Sequence, residues 1–567
     1  MQKKKSLLVL GTLFSLLLTS CGGGTNPSSS ESSSSESSSV NPYDEIVLEK
    51  DLNPNYQFDN TVTNVNGSAS YEIFVRSFYD ADGDGIGDFK GIEQKIPYLA
   101  DLGIKTLWLM PIHPSTTYHG YEVDDYFGVH SDFGTMDDFD SMVIEARKYN
   151  IDIMIDMVIN HSSKRISWFE QSYQDYKNGK TGEDSYADYY FWSDNSKGSG
   201  KAKYKDLWYQ YPTVFVSSMP KLNLASENLR KEIEDITKHW INHGVKGFRL
   251  DAAMYYYGSA STSSNVEFLT WLEETAHKYD PTFYMVSEVW TAGSTILNYY
   301  QSKCDSFFTF DASLQSAEGA SDTSFSKILG ASAGRPYSGV SQKWLKAVEK
   351  YERKLKEANP NGYSSYFLTN HDADRLSAYY KDESAKVAAS LYMLMPGTPF
   401  MYYGEEIGLL GKRRTSPDDG SDVRRRLPLI WSQSDNKGQC GFPDPSRKDL
   451  DDSPQVELGV YDQLEIGYSQ INHYKKLINV RNKYPLFKQA KFTSMYDEIE
   501  KENNYVVAYK LSVGDEYIIV VHNLNPYNVK MKAPGNDILD EINTSQLKPS
   551  LVNGELGLGA YSTVIMR

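Results

Sequence analysis

The 567-residue chain reads as an α/β protein: a (β/α)8 TIM barrel with a domain inserted after strand three and a C-terminal antiparallel β-domain. Three observations predict this. From Tyr71 onward, short apolar runs rich in β-branched and aromatic residues alternate with segments of helical period. Four of those runs end in strings that deliver ionisable groups, and the C-terminal strand ends of a parallel barrel converge on one face, where sites of that fold sit. From about Lys491 the pattern changes to alternating apolar and polar residues between Asn/Gly turns, as in Tyr505–Tyr509 and Tyr517–Val521.

Taken in order, residues 1–20 form an address label. Lys3, Lys4 and Lys5 give a positive start, and Leu7 to Leu18 is an apolar stretch too short to span a bilayer. Leu18-Thr19-Ser20-Cys21 is similar to a bacterial lipobox, which implies that Cys21 becomes a lipidated N-terminus after cleavage; an ordinary secretory signal with a chance cysteine is the alternative. Residues 21–66 continue as a Gly/Ser-rich tether and lead-in. The expectation is a lipoprotein facing the cell surface or periplasm, held to a bacterial membrane and lying outside the cytoplasm.

The barrel is expected over 67–160 and 224–488. Tyr71–Arg76, Thr106–Ile112 and Ile151–Ile159 read as its first three strands. Gly91–Leu102 reads as the first helix, and Met136–Tyr149 as the second, with Thr135 as N-cap and Asp137 and Asp138 in its first turn. Residues 161–223 are rich in Tyr, Ser, Lys and Gly and lack a clear long helix, so they read as an inserted subdomain. The rhythm resumes with a helix over Ser226–His243. Strands then follow at Gly247–Ala252, Phe283–Val289, Ser306–Phe310, Ser365–Thr369 and Phe400–Tyr403, with Gln470–Tyr484 as the closing helix. Residues 489–567 form the β-domain.

A formal charge of -17 argues against a nucleic-acid partner, which needs a basic footprint. The 43 Tyr and 9 Trp suit a sugar better, because an amphipathic ring offers a flat apolar face beside a polar tip. Cys304 and Cys440 are the remaining cysteines, and an oxidising location permits a bridge between them without requiring it. A monomer is expected.

The four strings are Asp156–His161, Gly247–Asp251, Ser287–Trp290 and Thr369–Asp372. Arg249 and Asp251 lie two apart on a strand and so face the same side. A guanidinium beside Asp251 favours its ionised form, which suits a nucleophile. Glu288 ends the next strand, and anionic neighbours make its proton harder to lose, which suits a general acid. Asp372 comes from the opposite side of the mouth to brace a developing oxocarbenium charge, while His161 and His371 supply donors for sugar hydroxyls. This is a constellation for breaking a glycosidic bond.

These strings resemble the four signature regions of glycoside hydrolase family 13, the α-amylase family, and the likeness runs from about Tyr71 through the tail. Gly120-Tyr121 is similar to the family's ring under the cleaved sugar, Met219–Asn223 to its fifth region in neopullulanase-like form, and Gly397-Thr398-Pro399 with Tyr402–Glu406 to its eighth-strand motif. The resemblance implies Asp251 as nucleophile, Glu288 as acid/base and Asp372 as transition-state stabiliser. It places Tyr121, His161, Arg249 and His371 around the sugar and makes Asp156 mainly structural. It also implies retention of configuration through a covalent intermediate, with the two carboxyl groups about 5–5.5 Å apart.

Asp80–Asp88 alternates carboxylates with glycines, an oxygen-rich loop of the calcium kind, although it lacks the closing Glu of an EF-hand. It resembles the metal loop after the first strand of oligo-1,6-glucosidase-like members, which implies structural Ca²⁺ on Asp80, Asp82, Asp84, Asp88 and the carbonyl of Ile86. Asn160 matches a calcium ligand between barrel and insertion in many α-amylases, without identifiable partners here. Chain-end-cutting members carry an Asp three residues before the stacking ring. That slot is Tyr118 here, which favours an endo-acting hydrolase of α-1,4 bonds in starch, glycogen or maltodextrin. The alternatives are neopullulanase-like or oligo-α-glucosidase activity that includes α-1,6 bonds, a sucrose- or trehalose-processing enzyme, and a maltodextrin-binding lipoprotein that does not cut. Asp418–Arg426 reads as a solvated charged loop, and Arg375 as a residue within reach of a neighbouring sugar.

Overall fold

The computed structural model describes residues 67–291, 293–315, 321–330, 339–413, 422–443, 456–498 and 505–567. The signal segment, Cys21 and the tether lie outside the described residues, as do positions 418–421 of the charged loop. Among the described residues no helix is long and apolar enough to cross a membrane.

The barrel strands are β1 (Ser70–Ile73), β2 (Thr106–Leu109), β3 (Asp152–Met157), β7 (Val245–Leu250), β8 (Tyr284–Ser287), β9 (Ser306–Phe308), β10 (Tyr363–Ser365) and β11 (Phe400–Tyr402). β4 (Trp192–Ser193), β5 (Lys201–Tyr204) and β6 (Leu207–Gln210) belong to the insertion. The barrel sheet is parallel, in the order β10-β9-β8-β7-β3-β2-β1-β11. Thr398 N to Ser364 O and Phe400 N to Tyr366 O, both 2.8 Å, close the ring between its first and last strands.

Strand parity sorts the side chains. Trp108, Met154, Tyr284, Val286, Phe308 and Phe400 fill the barrel interior as one cluster, while Leu107, Leu109, Ile153, Ile155, Phe248 and Leu250 face the surrounding helices. Arg249 lies between two outward residues and therefore points inward, where its guanidinium carbon sits 5.3 Å from the Trp108 ring. The helices begin where their caps stand: Thr135 and Asp138 form a capping box for Met136–Lys148, and the Ser226 hydroxyl accepts from Leu229 N ahead of Glu227–Asn242.

Two expectations shift. β10 ends at Ser365, and Tyr366–Thr369 continue through isolated bonds, Phe400 N to Tyr366 O and Leu314 N to Leu368 O, in place of a ladder. The insertion holds an 11-residue helix, Ser167–Lys177, as well as the antiparallel sheet β4-β6-β5. Its buried face is aromatic (Trp168, Phe169, Tyr173), so an aliphatic period does not reveal it. The tail forms β12 (Lys491–Ser494), β13 (Val506–Val513), β14 (Glu516–Asn523), β15 (Val529–Lys532), β16 (Ile538–Ile542), β17 (Ser550–Val552), β18 (Glu555–Leu558) and β19 (Thr563–Met566). These make antiparallel sheets ordered β12-β13-β14-β19-β16 and β15-β18-β17.

Arg481, on the helix Gln470–Lys483, locks the barrel seam. It donates to the carbonyls of Met393 and Met395 at 2.7 Å, Gly67 at 2.9 Å, Phe487 at 3.2 Å, and also Gly397. Gly397 must be glycine, because φ is +97° and a Cβ would lie 2.2 Å from the Ser364 carbonyl. Arg481→Met should leave several buried carbonyls unpaired, at about 1–3 kcal/mol each. The expected outcome is a clear fall in the thermal midpoint, measured by calorimetry.

Candidate active site

The strand ends bring the expected residues together. A cleft of about 410 Å³ is lined by Tyr121, His161, Asp251, Glu288 and Asp372, with Trp290, Tyr255, Phe215, Arg425 and Arg426 among its other walls. Arg249 is buried beneath it. Nη1 meets Asp156 at 2.7 and 2.9 Å and Asp251 Oδ1 at 2.8 Å, while Nη2 meets Glu288 Oε2 at 3.0 Å. Asp251 and Glu288 thus hang on one guanidinium. After β7 the chain turns at Ala252 in the left-handed region (φ +48°), which aims its N–H at Glu288 Oε2, 3.0 Å away. Such backbone strain persists where surrounding structure enforces it, and here it orients a carboxylate.

Three carboxylates on one buried cation leave the cluster rich in negative charge. Burial pushes the Asp251 carboxyl well above its ordinary range; Arg249 pulls it back, and Glu288, Asp156 and Asp372 push it further. The guanidinium therefore lies where the sequence places it, but its pull is smaller than the cost of burial. Burial likewise raises Asp156 to about 6 against Arg249. Trp290, half exposed, donates its indole N–H to Glu288 Oε1 at 2.8 Å.

Asp372 is held differently. Oδ1 meets Arg426 Nη2 at 3.0 Å and Oδ2 meets His371 Nε2 at 3.2 Å. Burial pushes its carboxyl up, but His371 and Arg426 outweigh that and hold it far below the usual carboxylate range. Tyr121 stacks on the His371 ring at 5.8 Å, and its hydroxyl lies 2.8 Å from Nε2 and 3.2 Å from Asp156 Oδ2. Gly120 permits this placement, since φ is +79° and a Cβ would lie 2.9 Å from the Pro111 carbonyl. His161 lines the cleft, but its Nε2 already faces the Tyr121 carbonyl at 3.1 Å.

Sequence reasoning missed four contributors. Glu72 on β1 meets His371 Nδ1 at 2.5 Å. Trp290 ends the Ser287–Trp290 string, yet only the fold shows it against Glu288. Arg425 and Arg426 belong to the segment read as a solvated charged loop; they line the cleft, and Arg426 is buried because Asp372 pairs with it. Arg375, in contrast, is buried away from the cleft, with Nε on the Arg425 carbonyl at 3.0 Å and its guanidinium over the Tyr402 ring, so no neighbouring sugar reaches it. Cys304 and Cys440 are both free and buried.

In the acidic loop, carboxylate oxygens of Asp80, Asp82 and Asp88 converge within 4.8 Å of one another. Gly83 N and Gly85 N hold Asp80 at 2.6 and 2.7 Å, and Ala81 N and Gly91 N hold Asp88 at 2.8 and 2.6 Å. Hard oxygens gathered this way fit a calcium ion. Asp84 stands outside the converging three; its Oδ1 accepts from Ile86 N at 2.7 Å.

The family model described as "Alpha amylase, catalytic domain" matches residues 72–490. "Alpha-amylase 3" of Dictyoglomus thermophilum is 36% identical over 510 residues, covering 88% of this chain and 92% of that protein. "Oligo-1,6-glucosidase" of Parageobacillus thermoglucosidasius is 28% identical over 547 residues, covering 82% of this chain and 92% of its own. Among solved structures, "Eubacterium rectale Amy13B" superposes with a TM-score of 0.77 at 33% identity, covering 89% of this chain and 96% of that one.

Asn160, matched to a calcium ligand by its position, instead faces a lysine. Buried Lys221 directs its ammonium at Asn160 Oδ1 (2.5 Å), the Asn160 carbonyl (3.1 Å) and the Tyr255 carbonyl (2.9 Å). Three oxygen acceptors match the three protons of an ammonium group. A cation supplied by the chain fills the position, and a second metal is not accommodated there. Burial alone pushes the amine down, to about 7. Lys221→Met should strand these oxygens, at about 1–3 kcal/mol each. Thermal unfolding should show the loss in the presence of calcium as much as in its absence.

Proposed function

The chain belongs to the alpha-amylase family of glycoside hydrolases, and on that premise we propose that it cuts α-1,4-glucosidic bonds within starch, glycogen or maltodextrin, retaining the anomeric configuration. The carrying observation is that Asp251, Glu288 and Asp372 line one sugar-sized cleft, two of them gripped by a single guanidinium.

In this reading the glucose at the cleavage point stacks on Tyr121. Asp251 attacks its anomeric carbon as Glu288 protonates the departing glycosidic oxygen, so the C–O bond breaks and a glycosyl ester forms. Glu288, now a carboxylate, takes a proton from water, which attacks the ester and releases Asp251. Glu288 Oε1 accepts the Trp290 indole N–H and, when protonated, turns its own O–H to the glycosidic oxygen. Trp290 is half exposed, which leaves its side chain room to move. Asp372, held ionised by Arg426 and His371, faces the positive charge that grows on the ring. The covalent step uses the Asp251 carboxylate, whose ionised form burial opposes and Arg249 favours.

Tyr118 in place of a carboxylate supports attack within a chain. Activity on maltooligosaccharides that includes α-1,6 bonds is the second reading, favoured by the Met219–Asn223 string. The loop at Asp80, Asp82 and Asp88 would hold structural calcium, which would cross-link the start of the helix Phe89–Leu102 to the preceding turn. An anchor on Cys21 would keep the enzyme at a bacterial membrane, outside the cytoplasm.

With soluble starch, long chains should shorten before glucose accumulates, and NMR of fresh products should show the α-anomer first; early β-anomer would sink the retaining assignment. Glu288→Gln should lower kcat by about 10²–10⁴-fold with little change in folding. Chelator should lower the thermal midpoint, with calcium restoring it. An unchanged midpoint, together with no calcium binding by calorimetry, would remove the metal from this account.

A further inference from the structure

The first barrel strand contributes a residue that no motif announces. Glu72 lies between Tyr71 and Ile73, which pack outward among the helices, so its own side chain points into the barrel. There it is buried, with Oε1 2.5 Å from His371 Nδ1. The opposite nitrogen, Nε2, meets Asp372 Oδ2 at 3.2 Å and the Tyr121 hydroxyl at 2.8 Å. That hydroxyl has its own acceptor in Asp156 Oδ2, so it is free to receive a hydrogen bond from the ring.

A neutral imidazole carries one N–H and presents a lone pair at its other nitrogen. His161, in the same cleft, has surroundings of that kind. Its Nδ1 faces the Asn160 amide nitrogen at 3.2 Å and its Nε2 the Tyr121 carbonyl at 3.1 Å, one donor and one acceptor. His371 instead finds an oxygen acceptor at each nitrogen. Two histidines of one site are thus built for different charge states, one neutral and one cationic.

We propose that Glu72 is a positioning residue that keeps His371 doubly protonated, so that its Nε2–H stays aimed at Asp372 and Tyr121 even in alkali. The functional part rests on the sugar-site reading above. Burial works against the charged ring, but Asp372 and Glu72 outweigh it and lift His371 to about 10, whereas burial takes His161 down to about 3. The neighbours from every side enter this balance. Trp108 on β2 presents an edge contact at 5.8 Å, Tyr121 stacks, Asp156 on β3 adds negative charge, and Arg249 on β7 and Arg426 beyond β11 oppose it. Both arginines are themselves occupied by carboxylates, which blunts their repulsion. Because the folded value is raised, the associated stability is fully present below the ordinary 6.5 and is lost as pH rises through about 10.

Glu72→Gln removes the charge at constant shape. At about pH 6, where a histidine still protonates readily, starch kcat/KM should stay within about three-fold of the parent. In this variant the pH at which the His371 ring loses its second proton, read by ¹⁵N NMR, should fall by about one unit or more. An unchanged His371 titration, or a loss of activity at pH 6 well beyond that range, would overturn the proposal. A second measurement needs neither substrate nor this variant: ¹⁵N NMR of the unaltered protein, with the His371 signals identified by their absence in His371→Asn. Both ring nitrogens should remain protonated at about pH 8; titration near the free-histidine value overturns the proposal. Since the NMR result is independent of substrate, a failure to cut starch would count against the glucan reading alone.

Discussion

A buried guanidinium organises the catalytic face. Arg249 joins the carboxylates that end β3, β7 and β8, and Trp108 flanks it inside the barrel. Taking that charge out of water is costly unless its donors are matched, and its flat fork can grip Asp156 at one end and Glu288 at the other. A lysine would offer a single point of charge and could not hold the same spread. Strand order, parity and the turn at Ala252 all converge on the partners this group requires.

Around that centre the site divides its charges. Burial and neighbouring carboxylates push the Asp251 carboxyl up despite Arg249, while Asp372, paired with Arg426 and His371, stays ionised. The histidines follow the same logic through their immediate partners. Two carboxyl side chains of one cleft are thereby driven in opposite directions, by nothing more than what each one packs against.

The parts legible in the sequence were those whose signal is local. Strand-end strings mark Asp251, Glu288, Asp372, Arg249 and both histidines, because a strand's end and a neighbour two residues away fix direction without knowledge of the fold. Thr135 and Ser226 announce helix starts for the same reason. Glu72 was hidden because nothing near it in sequence distinguishes an inward carboxylate from a surface one; its partner lies 299 positions away. Arg426 was misread since a run of charge resembles solvated surface until its counter-ion is known. β10 was placed too far along because the apolar run Tyr366–Leu368 continues past the last ladder bond, and packing rather than pairing explains its character.

Lys221 occupies the join between the insertion and the barrel, where its ammonium ties Asn160 to Tyr255. A covalently attached cross-link obeys no mass action: dilution cannot wash it out, and scavenging ligands in the surroundings cannot compete for it. Assembly of that junction is accordingly a unimolecular event, written into the polypeptide and indifferent to the mineral content of the medium. The cost is a loss of adjustability, because an organism cannot tune this contact by supplying or withholding an ion.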